Sequence, residues 1–298
     1  MKIKTSFSEL IGIDYPIIGA PMFLVSYERY VIALAEAGAL GTFPLPNYRT
    51  IEELQKALQI IRKATSKPVG VNIHLSGRFP WKEQLAVCLD AGVSFFISSL
   101  GNPALILPDV HANGGIVFAD VIKLEQGLKA RDRGVDGLIA VGAGAGGHCG
   151  SISTLVFTPY LAQKTGLPVI AAGGIATGEQ MAAALAVGAC GVVVGTRLIA
   201  TDEAEVSMGY KEAVVAAGPE DIITTAAITG NPATWLASSI ADFQEQPTLG
   251  SKKWRDLWSA GQSVAQTDAV YPIREVVQEM VTSYQRATLK LSESIVEG

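Results

Sequence analysis

The chain has 298 residues, of which 49% are hydrophobic and 17% charged, with a formal net charge of −5. That is too apolar for disorder, and enough to bury the core of one large domain or two small ones. The acidic balance excludes the basic footprint of a nucleic-acid binder and a polybasic membrane patch.

The N-terminal stretch carries Lys2, Lys4, Ser6, Ser8 and Glu9 and lacks the apolar core of a signal peptide. Eight short apolar runs follow, beginning near Pro16, Ala39, Pro68, Val93, Gly115, Val135, Pro168 and Cys190. Their spacing of roughly 20–33 residues is that of one strand–helix unit. The runs are continuous rather than alternating, as parallel strands covered on both faces require. None approaches the roughly 20 apolar residues of a bilayer span, so no membrane partner is expected. Between the runs, Ile51–Ala64 sets Ile51, Leu54, Leu58 and Ile61 on one stripe, and Thr177 is an N-cap candidate for an Ala-rich helix from Gly178 to Val187. Gly38, Gly92, Gly134 and Gly188 each sit where a helix C-cap would hand over to the next strand.

Eight such units in series predict a (β/α)8 TIM barrel, with an open doubly wound sheet as the bland alternative. After Gly195 the pattern stops. Thr201–Ser259 is predicted to be helical without strand runs, broken by Pro219, Pro232 and Pro247, with a polar, turn-like stretch at Glu245–Lys253. A closing helix is predicted over Ile273–Val296. The expected organisation is a barrel from 1–200 and 261–298 with a C-terminal helical insertion, 201–260, acting as a lid over the site.

Functional groups of such a barrel sit at the C-terminal ends of the strands. Those ends supply Gly19–Met22, Asn72–His74, Asp120, Gly142–Gly150, Gly173–Gly174 and Gly195–Arg197. The loops after strands seven and eight, AAGGIATG and VVVGTRLIA, pair glycines with Thr196 at a predicted helix start. That combination predicts a phosphate cradle, against two tight turns without a ligand. The strand-six loop holds five glycines and His148 between Gly142 and Gly150. A flat ligand could lie against such a backbone, and the near-neutral pKa of an imidazole suits proton transfer. His74 could face the same pocket, and His111 reads as a surface residue near a helix end. Cys149 remains open as a nucleophile. No spacing resembles a metal site. The three cysteines (Cys88, Cys149, Cys190) are far apart and odd in number, which predicts a reducing, cytoplasmic setting without a disulfide framework.

These segments resemble the nitronate monooxygenase (2-nitropropane dioxygenase) family. The resemblance rests on GAPMFLVS at 19–26, FPLPN at 43–47, GVN at 70–72, AGAGGHCG at 143–150, AAGGI at 171–175, VVVGTRLIATDEA at 192–204 and WSAGQSVA at 258–265. It implies an FMN enzyme that converts an alkyl nitronate or nitroalkane and O2 to a carbonyl compound and nitrite. FMN contacts are carried onto Ala20, Pro21, Met22, Asn72, Gly146, Gly173, Gly174, Gly195, Thr196 and Gln262, and the catalytic role onto His148. Two positions depart from the pattern: Asp120 stands where some relatives have a lysine, and Ala172 where some have a small hydroxyl residue. A carboxylate there would disfavour a reduced, anionic ring.

Three rivals share the scaffold. An NAD(P)H-dependent flavin reductase of a quinone or enoyl thioester looks similar around the glycine–histidine loop. A nucleotide-binding barrel could use Cys149 covalently, as the inosine monophosphate dehydrogenase family does. A flavin-binding scaffold without turnover is the third. The sequence leaves the use of NAD(P)H and assembly into a homo-oligomer open.

Overall fold

The computed structural model describes residues 2–77, 79–240 and 257–294. Eight parallel strands close into a barrel: β1 Ile17–Gly19, β2 Leu40–Pro44, β3 Val69–His74, β4 Phe95–Ser99, β5 Ile116–Val121, β6 Gly137–Val141, β8 Val169–Ala172 and β9 Gly191–Val194. β1 pairs with both β2 and β9, which rules out an open sheet. Each apolar run of the sequence is one of these strands. The intervening helices are α2 Glu28–Glu36, α3 Ile51–Ala64, α4 Trp81–Asp90, α5 Leu107–Ala112, α6 Leu124–Asp132, α7 Thr154–Thr165 and α8 Gly178–Ala186.

The helix punctuation follows the residues. Gly38, Gly92, Gly134 and Gly188 all have φ between +72° and +101°, the left-handed region that lets a helix stop and a strand begin at once. Thr50 and Thr177 head α3 and α8 through capping boxes with Glu53 and Gln180.

Side-chain alternation divides two cores. Ile17, Val71, Phe96, Val117, Leu138, Val169 and Val192 face the helices. Ile18, Phe95, Ile97, Phe118, Ile139 and Ile170 fill the barrel interior. The helix α1, Ser6–Ile11, plugs the bottom: Phe7 meets Phe95 and Phe118 with ring centroids 5.6 and 6.0 Å apart. Access to the interior is therefore from the C-terminal rim.

The segment after β9 departs from the expected helical lid. It opens with α9 Thr196–Ile199 and α10 Met208–Ala216, then forms an antiparallel hairpin of β10 Ile222–Thr225 and β11 Ala233–Leu236. β11 also pairs with a two-residue strand β7, Gly147–His148, so the glycine–histidine loop is part of a three-stranded sheet. The runs IITT and ATWL are four residues each and too short to stand out from helical text, but the β-branched residues of the first and Thr234 and Trp235 of the second suit strands. The stretch Glu245–Lys253, with Pro247, lies outside the described residues, as do the last two residues of the predicted closing helix. Within the described residues that helix, α11, runs Ile273–Glu293 and packs on α8, where Gly178 N–H donates to Ser283 Oγ at 2.9 Å. No helix among the described residues is long and apolar enough to cross a membrane.

Candidate active site

The rim is assembled from four pieces. The first is the loop after β1. Ala20 N–H donates to Val194 O at 2.8 Å, which ties the loop to β9. Met22 N–H donates to Ser26 Oγ at 2.8 Å. Leu24 has φ +61°, an uncommon conformation for a side chain, and it is held by Asn47: Leu24 N–H donates to Asn47 Oδ1 at 2.8 Å, and Asn47 Nδ2 donates to Ser26 O at 2.8 Å. Ala20, Pro21 and Met22 are thereby fixed and half-buried at the rim.

The second is a polar layer at the top of the interior. Strand alternation turns Asn72, His74, Ser99 and Asp120 inward. Asn72 Nδ2 donates to Ile97 O at 3.1 Å and to Ser99 Oγ at 2.6 Å, and Ser99 Oγ donates to Asp120 Oδ2 at 2.6 Å. Burial pushes the Asp120 carboxyl up to about 6, while the Ser99 hydroxyl pulls it down. Ser99 was not singled out in the sequence; the polar end of FFISS was its only signal.

The third piece is the pair of loops after β8 and β9. Gly173 and Gly174 have φ +108° and +72°. A Cβ on Gly174 would meet nothing nearer than Gly144 Cα at 4.0 Å, and one on Gly195 would point at Ala20 Cβ and Met22 Sδ, 3.3 and 3.8 Å away. Gly174 thus has room at its α-carbon, whereas Gly195 packs against the β1 loop, where a Cβ would crowd Ala20. Thr196 Oγ1 accepts from Gly261 N–H at 2.8 Å, so its hydroxyl also anchors the chain returning from the insertion. Arg197 is buried on that same return. It donates to Ala269 O at 3.2 Å and lies over the Tyr271 ring at 5.2 Å.

The fourth is the glycine–histidine loop. Several of its glycines serve backbone packing. A Cβ on Gly144 would lie 3.0 Å from Gly174 N, one on Gly146 3.2 Å from Gly261 N, and one on Gly173 2.8 Å from Ala145 N. Gln262 is exposed, and its N–H donates to Gly144 O at 3.1 Å. Ser259, quoted within WSAGQ but given no role from sequence, is the hub. Its Oγ accepts from Gly147 N–H at 2.8 Å and donates to Thr234 O at 2.7 Å. Thr234 Oγ1 in turn donates to Ala145 O at 3.0 Å. Tyr210 donates to Ser259 O and stacks on Trp258, with centroids 5.3 Å apart.

His148 projects from this sheet at the rim. Its Nε2 lies 3.4 Å from Thr229 Oγ1, whose own proton goes to Asn231 O at 2.8 Å. The Thr229 hydroxyl thus accepts at this contact, which ties the imidazole to the loop that carries Thr229 and Asn231. Partial burial lowers the His148 pKa. His74, edge-on to Phe79, is lowered by burial and further by the proximity of His148, so the two imidazoles share the mouth. Cys149 is buried, and burial raises its thiol, which opposes a thiolate nucleophile. His111 lies on the outer surface against Asp136, 3.0 Å away. Among the described residues no three His, Cys, Asp or Glu side chains gather as a metal site.

The chain is similar to proteins with this architecture. FabK from Thermotoga maritima superposes with a TM-score of 0.88 at 31% identity, over 99% of this chain and 100% of that one. A Mycobacterium tuberculosis protein named (3aS,4S,5R,7aS)-5-hydroxy-7a-methyl-1-oxo-octahydro-1H-indene-4-carboxyl-CoA dehydrogenase is 31% identical over 82% of this chain and 69% of its own length. A nitronate monooxygenase of Paraburkholderia phytofirmans is 30% identical over 82% of this chain and 79% of its own. The family model for nitronate monooxygenase matches residues 4–78 and 74–266. With its closed barrel and its glycine–histidine strand, the chain belongs to the nitronate monooxygenase family of flavin-dependent oxidoreductases.

Proposed function

We propose that the chain is an FMN-dependent nitronate monooxygenase, which takes an alkyl nitronate or its parent nitroalkane and O2 to a carbonyl compound and nitrite. The observation that carries this reading is His148: an imidazole at the mouth of a flavin-enzyme barrel, fixed on a strand and biased toward its neutral form. A neutral imidazole can take the proton from the acidic carbon beside a nitro group. His74 is placed to line the same mouth. The family and the glycine turns at Gly173 and Gly174, both in the left-handed region, support FMN, with its phosphate on Gly173, Gly174, Gly195 and Thr196. Ala20, Pro21, Met22, Asn72 and Gly146 would border the ring, and Gln262 the outer edge. When bound, the flavin supplies the electron transfer and the reaction with O2. The protein's residues orient the substrate, hold the proton taken from carbon, and cover the site with the β10–β11 hairpin.

A second reading is favoured by one observation. The M. tuberculosis relative named as a carboxyl-CoA dehydrogenase matches as large a share of this chain as the nitronate monooxygenase does. On that reading the site acts on a CoA thioester and exchanges electrons with NAD(P)H, and His148 handles the proton beside the thioester carbonyl. An anaerobic titration of the purified protein with propionate 3-nitronate, NADH and NADPH, followed by flavin absorbance, separates the two. Bleaching by the nitronate, with nitrite formed on admitting oxygen, is the result expected. Bleaching by NADH or NADPH alone replaces it with the thioester reading, and a protein bleached by none of them overturns both.

A further inference from the structure

The hydrogen bonds around Asn72 fix which end of its amide faces the ligand. The Ile97 carbonyl can only accept, so the amide atom 3.1 Å from it is the nitrogen. That same nitrogen lies 2.6 Å from Ser99 Oγ, which must accept its second hydrogen. The Ser99 proton then needs an acceptor, and Asp120 Oδ2 takes it at 2.6 Å. Both amide hydrogens are thus committed to the protein. The remaining atom, Asn72 Oδ1, accepts no hydrogen bond among the described residues, although the residue is only 5% exposed. It is not sealed off from solvent either. Because α1 closes the bottom of the barrel, the approach to Oδ1 is from the mouth.

We propose that Ser99 and Asp120 are positioning residues that lock the Asn72 amide with its carbonyl oxygen toward the mouth, so that the site selects a hydrogen-bond donor on the flavin nucleotide. The donor is the imide N–H of the ring or a hydroxyl of the ribityl chain. This inference rests on the FMN reading above. It also gives Asp120 a role at the position where the family pattern has a lysine in some members. The carboxyl terminates the chain of donors, and without it the Ser99 hydroxyl is free to turn its proton toward Asn72, so the amide is held by the Ile97 carbonyl alone and tilts. A tilted amide presents Oδ1 to a ligand N–H or O–H in poor geometry, which forfeits that hydrogen bond.

Apoprotein reconstitution, followed by quenching of flavin fluorescence, tests this with three probes: FMN, 3-methyl-FMN and 2′-deoxyribityl FMN. The wild type is expected to bind one analogue about tenfold more weakly than FMN, the loss of about one hydrogen bond. The 3-methyl compound identifies the imide N–H as the donor, and the deoxy compound the ribityl hydroxyl. Ser99→Ala and Asp120→Ala should weaken FMN binding about tenfold and abolish the preference between FMN and that analogue. Asp120→Asn, whose amide oxygen still accepts the Ser99 proton, should retain both affinity and preference. Should one truncation fail to fold by circular dichroism, the other carries the comparison, and Ser99→Thr must behave like the wild type. A preference that survives both truncations, or a wild type that binds FMN and both analogues equally, overturns the inference and leaves the functional reading intact. A wild type that binds no FMN overturns the functional reading first and this inference with it.

Discussion

Gly261→Ala isolates the packing that holds the rim together. Gly261 has φ −104° and ψ 177°, an extended conformation open to any residue, so the backbone itself exacts no cost for alanine. The cost is steric. The new methyl would lie 2.4 Å from Gly144 O, 2.7 Å from Gly146 N and 2.8 Å from Ala145 C, all backbone atoms of the glycine–histidine loop. No flexible side-chain end can give way, so the loop or the 260–262 segment must shift by about an ångström. Overpacking of that kind costs about 1–3 kcal/mol. The shift also strains two hydrogen bonds, Gly261 N–H to Thr196 Oγ1 and Gln262 N–H to Gly144 O, worth about 1 kcal/mol each. A total of about 3–5 kcal/mol lowers the melting temperature of a domain this size by roughly 6–10 °C. Thr196, Gly146 and Gly174 are among the FMN contacts proposed above, so on that reading FMN affinity should fall with it. Gly209→Ala in α10 is the control: its methyl would meet only Trp258 Cη2 at 3.7 Å, an ordinary contact, and alanine in a helix gains about 0.5–1 kcal/mol. Thermal melts of the apoprotein and FMN titrations read both variants. A Gly261→Ala protein that melts within 2 °C of wild type, an interval of about 1 kcal/mol, and binds FMN equally well refutes the assignment of this close packing.

Three further outcomes are expected. His148→Ala should lower turnover by about 10²–10⁴ with flavin content unchanged, and wild-type turnover should rise with pH through a pKa below 6.5 and then stay flat, because burial lowers the imidazole; a bell centred above neutrality would contradict this. Asp120, raised to about 6 in the folded state, holds its proton more tightly there than in the unfolded chain, so its stabilising contribution is complete below about pH 4 and is lost as pH rises through 6, at most about 3 kcal/mol. Asp120→Asn should therefore gain stability relative to wild type in urea melts at pH 8 and not at pH 4. Ser259→Ala removes the acceptor of Gly147 N–H and the donor to Thr234 O, and should cut kcat about tenfold with little change in KM; a change in KM alone would assign Ser259 to substrate binding instead.

The barrel was legible because its signals are local. Each strand is a continuous apolar run, and Gly38, Gly92, Gly134 and Gly188 mark helix ends through a backbone conformation that only glycine adopts freely. Asn72, Asp120, Gly173, Gly174, Gly195 and His148 could be placed at strand ends by counting alone. Ser99 could not, since its role depends on β4 lying between β3 and β5 in a register that sets it beside both Asn72 and Asp120. The hairpin was hidden for a related reason: β7 has two residues, and its partner β11 lies some 85 positions along the chain. No window of sequence holds both.

The same comparison changes what the glycines mean. A loop of five glycines beside one histidine invites the view that the glycines clear space for a ligand. Instead Gly144 and Gly146 of that loop, with Gly173 and Gly261 facing them, let three stretches of backbone meet at distances that leave no room for a Cβ. The flexibility of the glycine loop is removed by that contact, by the Ser259 and Thr234 hydroxyls, and by pairing with β11. A general base gains from such restraint, because its rate contribution depends on a fixed approach to the reacting proton. The ordering entropy of the loop is met largely by backbone packing before any ligand arrives. On the proposed reading of His148 as that base, the strand that carries it is already held in place by the fold before substrate binds.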